Sequence, residues 1–376
     1  MIFLTYNDNY SGIYKSQVID VCTFLQKNYK MKVKLVAFVS IRNYSTQKKL
    51  IRDSYPHSSI LPMFPKIRFW KWNVFLLFFS CLASKSKKIW ARGPFATNLA
   101  ISMKKAGLVK NVIFDARGAY LAELTEYNVV SDEHVKKNIS SIERKALQKS
   151  QGQLAVSQKL VDWWKEQYDF TPKTCSIIPC TISAHFDSAL PVEKEIEHAR
   201  SNAGYNHQDI VLVYSGTSAG WQSFELVDEY LYSLFNKDKR YKLIFLSDET
   251  PKNSRLFNEF AERISTKWVK PSEVRDILLT ADYGLLIREN SITNKVASPV
   301  KFAEYLSCGL QVVISGAIGD FTGFVKENNC GVEYSKDNEL PGVSYQNKLK
   351  NNKLALQHFT KNSVEIKQEY AKLLSV

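Results

Sequence analysis

The sequence predicts an α/β protein of two domains, each built on a parallel sheet. Short apolar runs bounded by polar residues alternate with stretches whose apolar residues recur at helical spacing, as strand–helix–strand units require. The alternation runs twice, and the short stretch Thr181 to Pro191 separates one sheet pattern from the next. The length of 376 residues, 45% of them hydrophobic and seven of them Trp, suffices for two cores of ordinary size. The predicted division is 1–183, 184–350 and a C-terminal helix, 351–376, that crosses back to the first domain.

In the first domain Ile2 to Tyr6 reads as a strand and Asn7 to Gly12 as a loop. Val18, Val21, Cys22 and Leu25 form a helical stripe, and Val33 to Val39 is the next strand. The first loop lies at the carboxyl end of its strand, where such folds bind ligands. Gly12 there either lets a ligand approach the backbone or simply turns the chain into the helix. Two further strands end in arginines. Ile89 to Ala91 leads to Arg92-Gly93-Pro94, and Val112 to Phe114 leads to Asp115-Ala116-Arg117-Gly118. A strand-end Arg suits an anion or charge developing as a bond breaks, so Arg117 is a catalytic candidate. Arg92 and Asp115 are further site candidates at these strand ends, although Asp115 and Arg117 also read as a structural pair at a turn. Asp132 to Gln151 is helical, with Ile139, Ile142, Ala146 and Leu147 inward. Leu154 to Val156 and Ile177-Ile178 complete the strands.

Charge is unevenly distributed. Residues 1–185 hold 28 Lys and Arg against 12 Asp and Glu, so the whole excess behind the net +14 lies in that half. A basic half suits nucleic acid, an anionic membrane or an acidic substrate. No zinc-finger or RRM signature accompanies it, which argues against nucleic acid. Phe69, Trp70, Trp72 and Val74 to Phe79 crowd one segment, flanked by Lys66, Arg68 and Lys71 on one side and Lys85, Lys87 and Lys88 on the other. The uninterrupted apolar run is far short of the ~20 residues needed to span a bilayer. It reads either as a core helix or as an interfacial helix with Trp and Lys at the headgroups. The N-terminus has no charged region ahead of a long apolar stretch, so it reads as a strand and not a signal peptide. The six Cys are scattered without metal-ligand spacing, as in a reduced cytosolic protein.

The second sheet starts at Ile210 to Tyr214, followed by Ser215-Gly216-Thr217, where the glycine lets a phosphate or sugar come close. Phe224, Val227, Leu231 and Leu234 form a core stripe. Leu243 to Leu246 and Lys267 to Val269 are further strands. The richest stretch is Tyr283 to Ile314. Leu285 to Ile287 is a buried strand with Arg288 at its carboxyl end. A polar loop ends at Ser298, which is expected to cap a helix carrying Pro299 in its first turn. Phe302, Tyr305 and Leu306 give that helix its apolar stripe, Gly309 ends it, and Val312 to Ile314 starts the next strand. The helix start offers free amides and a positive dipole end. With Arg288 and Lys301 it makes a diphosphate clamp, while Glu304 suits the hydroxyls of a ribose. On spacing alone a solvated Lys301–Glu304 pair (i, i+3) fits equally well.

SPVKFAEYLSCGLQVV, with Arg288 ahead and GAIGD (Gly316 to Asp320) behind, resembles the nucleotide-sugar site of family 4 glycosyltransferases. The match is specific over about thirty residues, and the order of elements agrees along the whole chain. The resemblance implies the GT-B fold: two Rossmann-like domains facing across a cleft, the second holding the donor and the first the acceptor. It implies that Gly12, Gly216, Thr217, Arg288, Ser298, Val300, Lys301 and Glu304 bind the donor, and that Arg288 and Lys301 assist catalysis. Three departures stand out. Val296 occupies the position where many members carry a second Glu. No His occurs near Arg117, which takes its place. The Arg and Lys that usually follow the glycine of the first strand are missing from Thr217 to Gln222, which leaves the positive charge to Arg288 and Lys301.

The expected activity is therefore hexosyl transfer, with retention, from a nucleotide sugar of the UDP type to a glycan or lipid-linked acceptor of cell-surface polysaccharide biosynthesis. No cofactor and no metal are expected, since no DxD-like cluster lies beside a strand end. The expected location is cytoplasmic, peripheral on the inner face of the cell membrane through the basic first domain. A nucleotide-sugar 2-epimerase of the same fold and a nucleic-acid-binding module are the rivals.

Overall fold

The computed structural model describes residues 1–127, 132–216, 223–247, 251 and 254–376. The chain forms two compact units, Met1–Thr181 with Val364–Val376, and Ile182–Ser363.

Among the described residues the first unit holds a seven-stranded sheet. Its strands are β1 (Ile2–Tyr6), β2 (Lys34–Ser40), β3 (Ser58–Met63), β4 (Lys88–Arg92), β5 (Asn111–Asp115), β6 (Gly152–Ala155) and β7 (Cys175–Ile177). They lie in the order β3-β2-β1-β4-β5-β6-β7, and every pairing is parallel. The second unit holds six strands in the order β10-β9-β8-β11-β12-β13, again all parallel. These are β8 (Ile210–Ser215), β9 (Tyr241–Leu246), β10 (Ile264–Lys267), β11 (Tyr283–Leu286), β12 (Gln311–Ile314) and β13 (Gly331–Glu333). The central strands β1, β8 and β11 are buried along their full length. A strand covered by helices on both faces is apolar throughout instead of alternating. The architecture is that of the GT-B fold.

Sequence reasoning missed the two edge strands β3 and β13. β3 includes Pro62 and alternates poorly, which an edge tolerates because one row of its amides needs no partner. β13 has only three residues. The strand expected at Lys267 to Val269 lies earlier, at Ile264–Lys267, and Trp268 stands exposed beyond it.

The last long helix is two helices, not one. Tyr345–His358 belongs to the second unit, where Asn351 donates to the Leu310 carbonyl (2.9 Å) and Asn352 to the Ser307 carbonyl (2.6 Å). A turn at 360–363 then redirects the chain. Val364–Leu374 returns to the first unit, burying Ile366, Tyr370 and Leu373 against Phe3, Trp90 and Ile113.

The aromatic segment of the first unit forms tight turns over Ile67–Asn73 and a helix over Val74–Ser84. Trp70, Asn73, Leu77 and Cys81 face the core, and Trp72, Phe75, Leu76, Phe79 and Leu82 face outward. Both faces are apolar, so the core-helix reading accounts for only half of the segment. Among the described residues no helix is long and apolar enough to cross a membrane.

Candidate functional site

In the second unit the site grows from the carboxyl ends of β8 and β11. Arg288 follows β11 and is held at its backbone by Ser315, whose hydroxyl accepts from the Arg288 amide and donates to the Arg288 carbonyl (both 2.8 Å). Its guanidinium donates to the fully buried Asn294 side chain (3.3 Å). The loop between β11 and the next long helix is pinned from outside. Gly319, at φ +47°, donates its amide to the Asn294 carbonyl (3.2 Å), and a Cβ there would overlap the Ala297 carbonyl. GAIGD is thus a clamp on the 294–297 loop.

The helix runs Val300–Ser307. Its cap is Pro299, not Ser298 as expected. Pro299 has the extended ψ of 123° that a cap needs, and its carbonyl accepts from the Phe302 amide (3.1 Å). Proline restricts the residue before it to extended conformations, which leaves Ser298 buried one position outside the helix. Val300 and Lys301 form the first turn, and Lys301 pairs with Glu304 at 3.0 Å. The i, i+3 pair that spacing allowed is therefore formed, with Glu304 the more buried partner.

Tyr305, on the same helix, lies in the core as the sequence suggested, but against a strand glycine that the sequence reading had not used. Its ring lies on Gly284 of β11, where any Cβ would overlap it. Its hydroxyl is buried and has no hydrogen-bond partner among the described residues. Burial raises its pKa, the nearby Glu304 and Tyr214 raise it further, and Arg288 opposes them. The available signal was Gly284, a glycine inside an otherwise apolar strand. Thr217 lies outside the described residues.

In the first unit Gly12 opens the first helix, with Ser11 as its cap, and nothing crowds the position of its Cβ. It is a helix-entry residue bordering open space. Arg92 pairs with Asp8 of the β1 loop at 2.8 Å. Asp115 is fully buried; its carboxylate accepts from Trp90 Nε1 (3.1 Å) and from Arg117 Nη2 (3.0 Å), and it forms an ion pair with Arg117 Nε at 2.6 Å. Asp115 is therefore the anchor that orients Arg117 and is closed to an acceptor. Arg117 Nη1 also donates to Gln17 (3.4 Å), whose own amide donates to the Thr181 carbonyl (2.7 Å). Glu123 was not foreseen. It stands against Gly118 with no side-chain hydrogen bond among the described residues, and burial pushes its carboxyl up to about 7 against the pull of Arg92. Among the described residues no three His, Cys, Asp or Glu side chains gather as metal ligands.

The fold and these strand ends define a chain of the GT-B class. Neither a family model nor a curated protein matches the sequence. Solved structures do match over the full length. A glycosyltransferase from Rickettsia africae aligns with a TM-score of 0.70 at 12% identity, covering 100% of this chain and 97% of its own. HepE of Anabaena, solved with UDP and glucose, aligns at 0.67 and 14% identity, covering 100% and 99%. A protein of Listeria monocytogenes described as a UDP-N-acetylglucosamine 2-epimerase aligns less well, at 0.55 and 10% identity, covering 99% and 94%.

Proposed function

We propose that this chain transfers a sugar from a nucleotide sugar, of the UDP type, to a glycan or lipid-linked acceptor in cell-surface polysaccharide synthesis. The observation that supports it most is that Arg288, at the end of β11, holds Asn294 of the loop leading into the helix Val300–Ser307, whose first turns carry the Lys301–Glu304 pair. The donor's diphosphate sits at the helix amides against Arg288 and Lys301, with Gly216, Ser298 and Val300 lining it. Glu304 accepts from the ribose hydroxyls. Its present pairing with Lys301 is exchanged when donor binds: the carboxylate turns to the ribose and the ammonium to the phosphate. As the anomeric C–O bond breaks, the electron pair leaves with the diphosphate, and the two cations stabilise that charge. The acceptor oxygen forms the new bond on the same face and its proton passes to the departing phosphate oxygen, so the configuration is retained. Arg117, held rigid by Asp115, assists catalysis, and Arg92 serves the acceptor side.

No metal and no cofactor take part, and the protein works in the cytoplasm, on the inner face of the membrane. The basic, aromatic-rich first unit binds an anionic membrane surface and not nucleic acid. The deciding experiment screens nucleotide sugars for thermal stabilisation, then incubates the best one with and without acceptor. Sugar transfer only when acceptor is present supports the reading. Conversion of the donor alone favours the epimerase, to which the Listeria structure gives some weight. No stabilisation by any nucleotide sugar removes both.

A further inference from the structure

A cavity of about 120 Å³ opens in the first unit between the Ile67–Asn73 turns and the helix Glu133–Lys149. A single water needs only about 10–15 Å³ of such space, so several waters or a phosphate-sized group fit. Its wall includes Arg68, Trp70, Lys71, His134, Asn138 and Ser141. Arg68 stacks on Phe69 (5.1 Å) and Lys71 lies over Trp70 (5.8 Å). Among the described residues neither cation pairs with a carboxylate. The acids of the facing helix are already engaged: Glu133 holds Lys136 at 2.8 Å, and Asp132 caps the amides of His134 (3.0 Å) and Val135 (3.2 Å). Positive charge is crowded here. Lys145 is held below its usual pKa by burial and by the neighbouring charges of Lys105 and Lys71. Directly after Lys71 the chain presents Trp72, Phe75 and Phe79, 65%, 66% and 66% exposed, at the spacing of one helix face.

A soluble protein gains nothing from three exposed aromatic rings beside an unneutralised cationic pocket; a bilayer interface satisfies both. We propose that this pocket receives the phosphate of an anionic phospholipid, with Arg68 and Lys71 as its counter-ions, while Trp72, Phe75 and Phe79 enter the interfacial layer. The proposal deepens the membrane partner named above and rests on that reading, independently of the chemistry at Arg288 and Lys301. It turns a diffuse attraction into a discrete headgroup site.

The test is flotation of the full chain with phosphatidylcholine vesicles, with and without phosphatidylglycerol. Binding is expected only with phosphatidylglycerol. The double variant Arg68→Gln/Lys71→Gln should weaken it at least tenfold, at about one Lys or Arg per several-fold of affinity. Trp72→Ser/Phe75→Ser/Phe79→Ser should abolish it. The control Lys27→Gln/Lys30→Gln removes the same charge from another exposed helix end and should leave it nearly unchanged. Equal losses in the control and the pocket variant would overturn the discrete site, leaving only diffuse charge. Binding that ignores phosphatidylglycerol would overturn it too. Inorganic phosphate that raises the unfolding temperature as much as the lipid does would overturn the lipid assignment. Nucleotide-sugar stabilisation, measured in parallel on the same variants, should be unchanged, so failure here is distinct from failure of the proposed reaction.

Discussion

In the proposed reaction Lys301 and Glu304, which pair with each other here, each give up the other for a part of the donor. Replacing either by Ala should raise the donor dissociation constant at least tenfold, about 1.4 kcal/mol, by calorimetry. Tyr305→Phe removes one hydroxyl from the buried group around Arg288 and Glu304 and keeps the ring on Gly284, so it should fold normally and bind donor more weakly. Glu123 gives a pH test. Its carboxyl ionises near 4.5 in the unfolded chain and near about 7 in the folded one. Between those values unfolding releases a proton, so its contribution is full at acid pH and is lost as pH rises through about 7. Glu123→Gln should flatten the fall in stability across that window, measured by denaturant unfolding at several pH values.

At the scale of elements, the helix Val300–Ser307 was readable because its apolar stripe and terminal Gly309 are local signals. Its cap was not. Ser-Pro can begin a helix at either residue, and the loop packing decided for Pro299. What decides it includes the contact of Gly319 with Ala297, twenty-two residues apart in sequence. Gly319→Ala should cost about 1–3 kcal/mol through its positive φ and that overlap. Donor affinity should fall with it, since the 294–297 loop carries Asn294, the partner of Arg288. The edge strands show the same limit. β3 is a strand because β2 offers it hydrogen bonds, not because its own residues alternate.

For the whole molecule, the prediction is full activity in EDTA. Restoration only by added Mg²⁺ or Mn²⁺ would overturn the metal-free mechanism.

The two parallel sheets and the order of most of their strands were determined by sequence alone. They depend on apolar periodicity and on proline and glycine punctuation, which act over a few residues. Tertiary structure decided what each charged group does. Asp115 became an anchor because Trp90 and Arg117 both turn toward it. Tyr305 fits against β11 because Gly284, twenty-one residues earlier, has no side chain. The aromatic segment stayed half exposed because its helix has two apolar faces and the core covers only one. The energy of a buried charge or an uncovered ring depends on neighbours brought from far along the chain, and no local pattern encodes them.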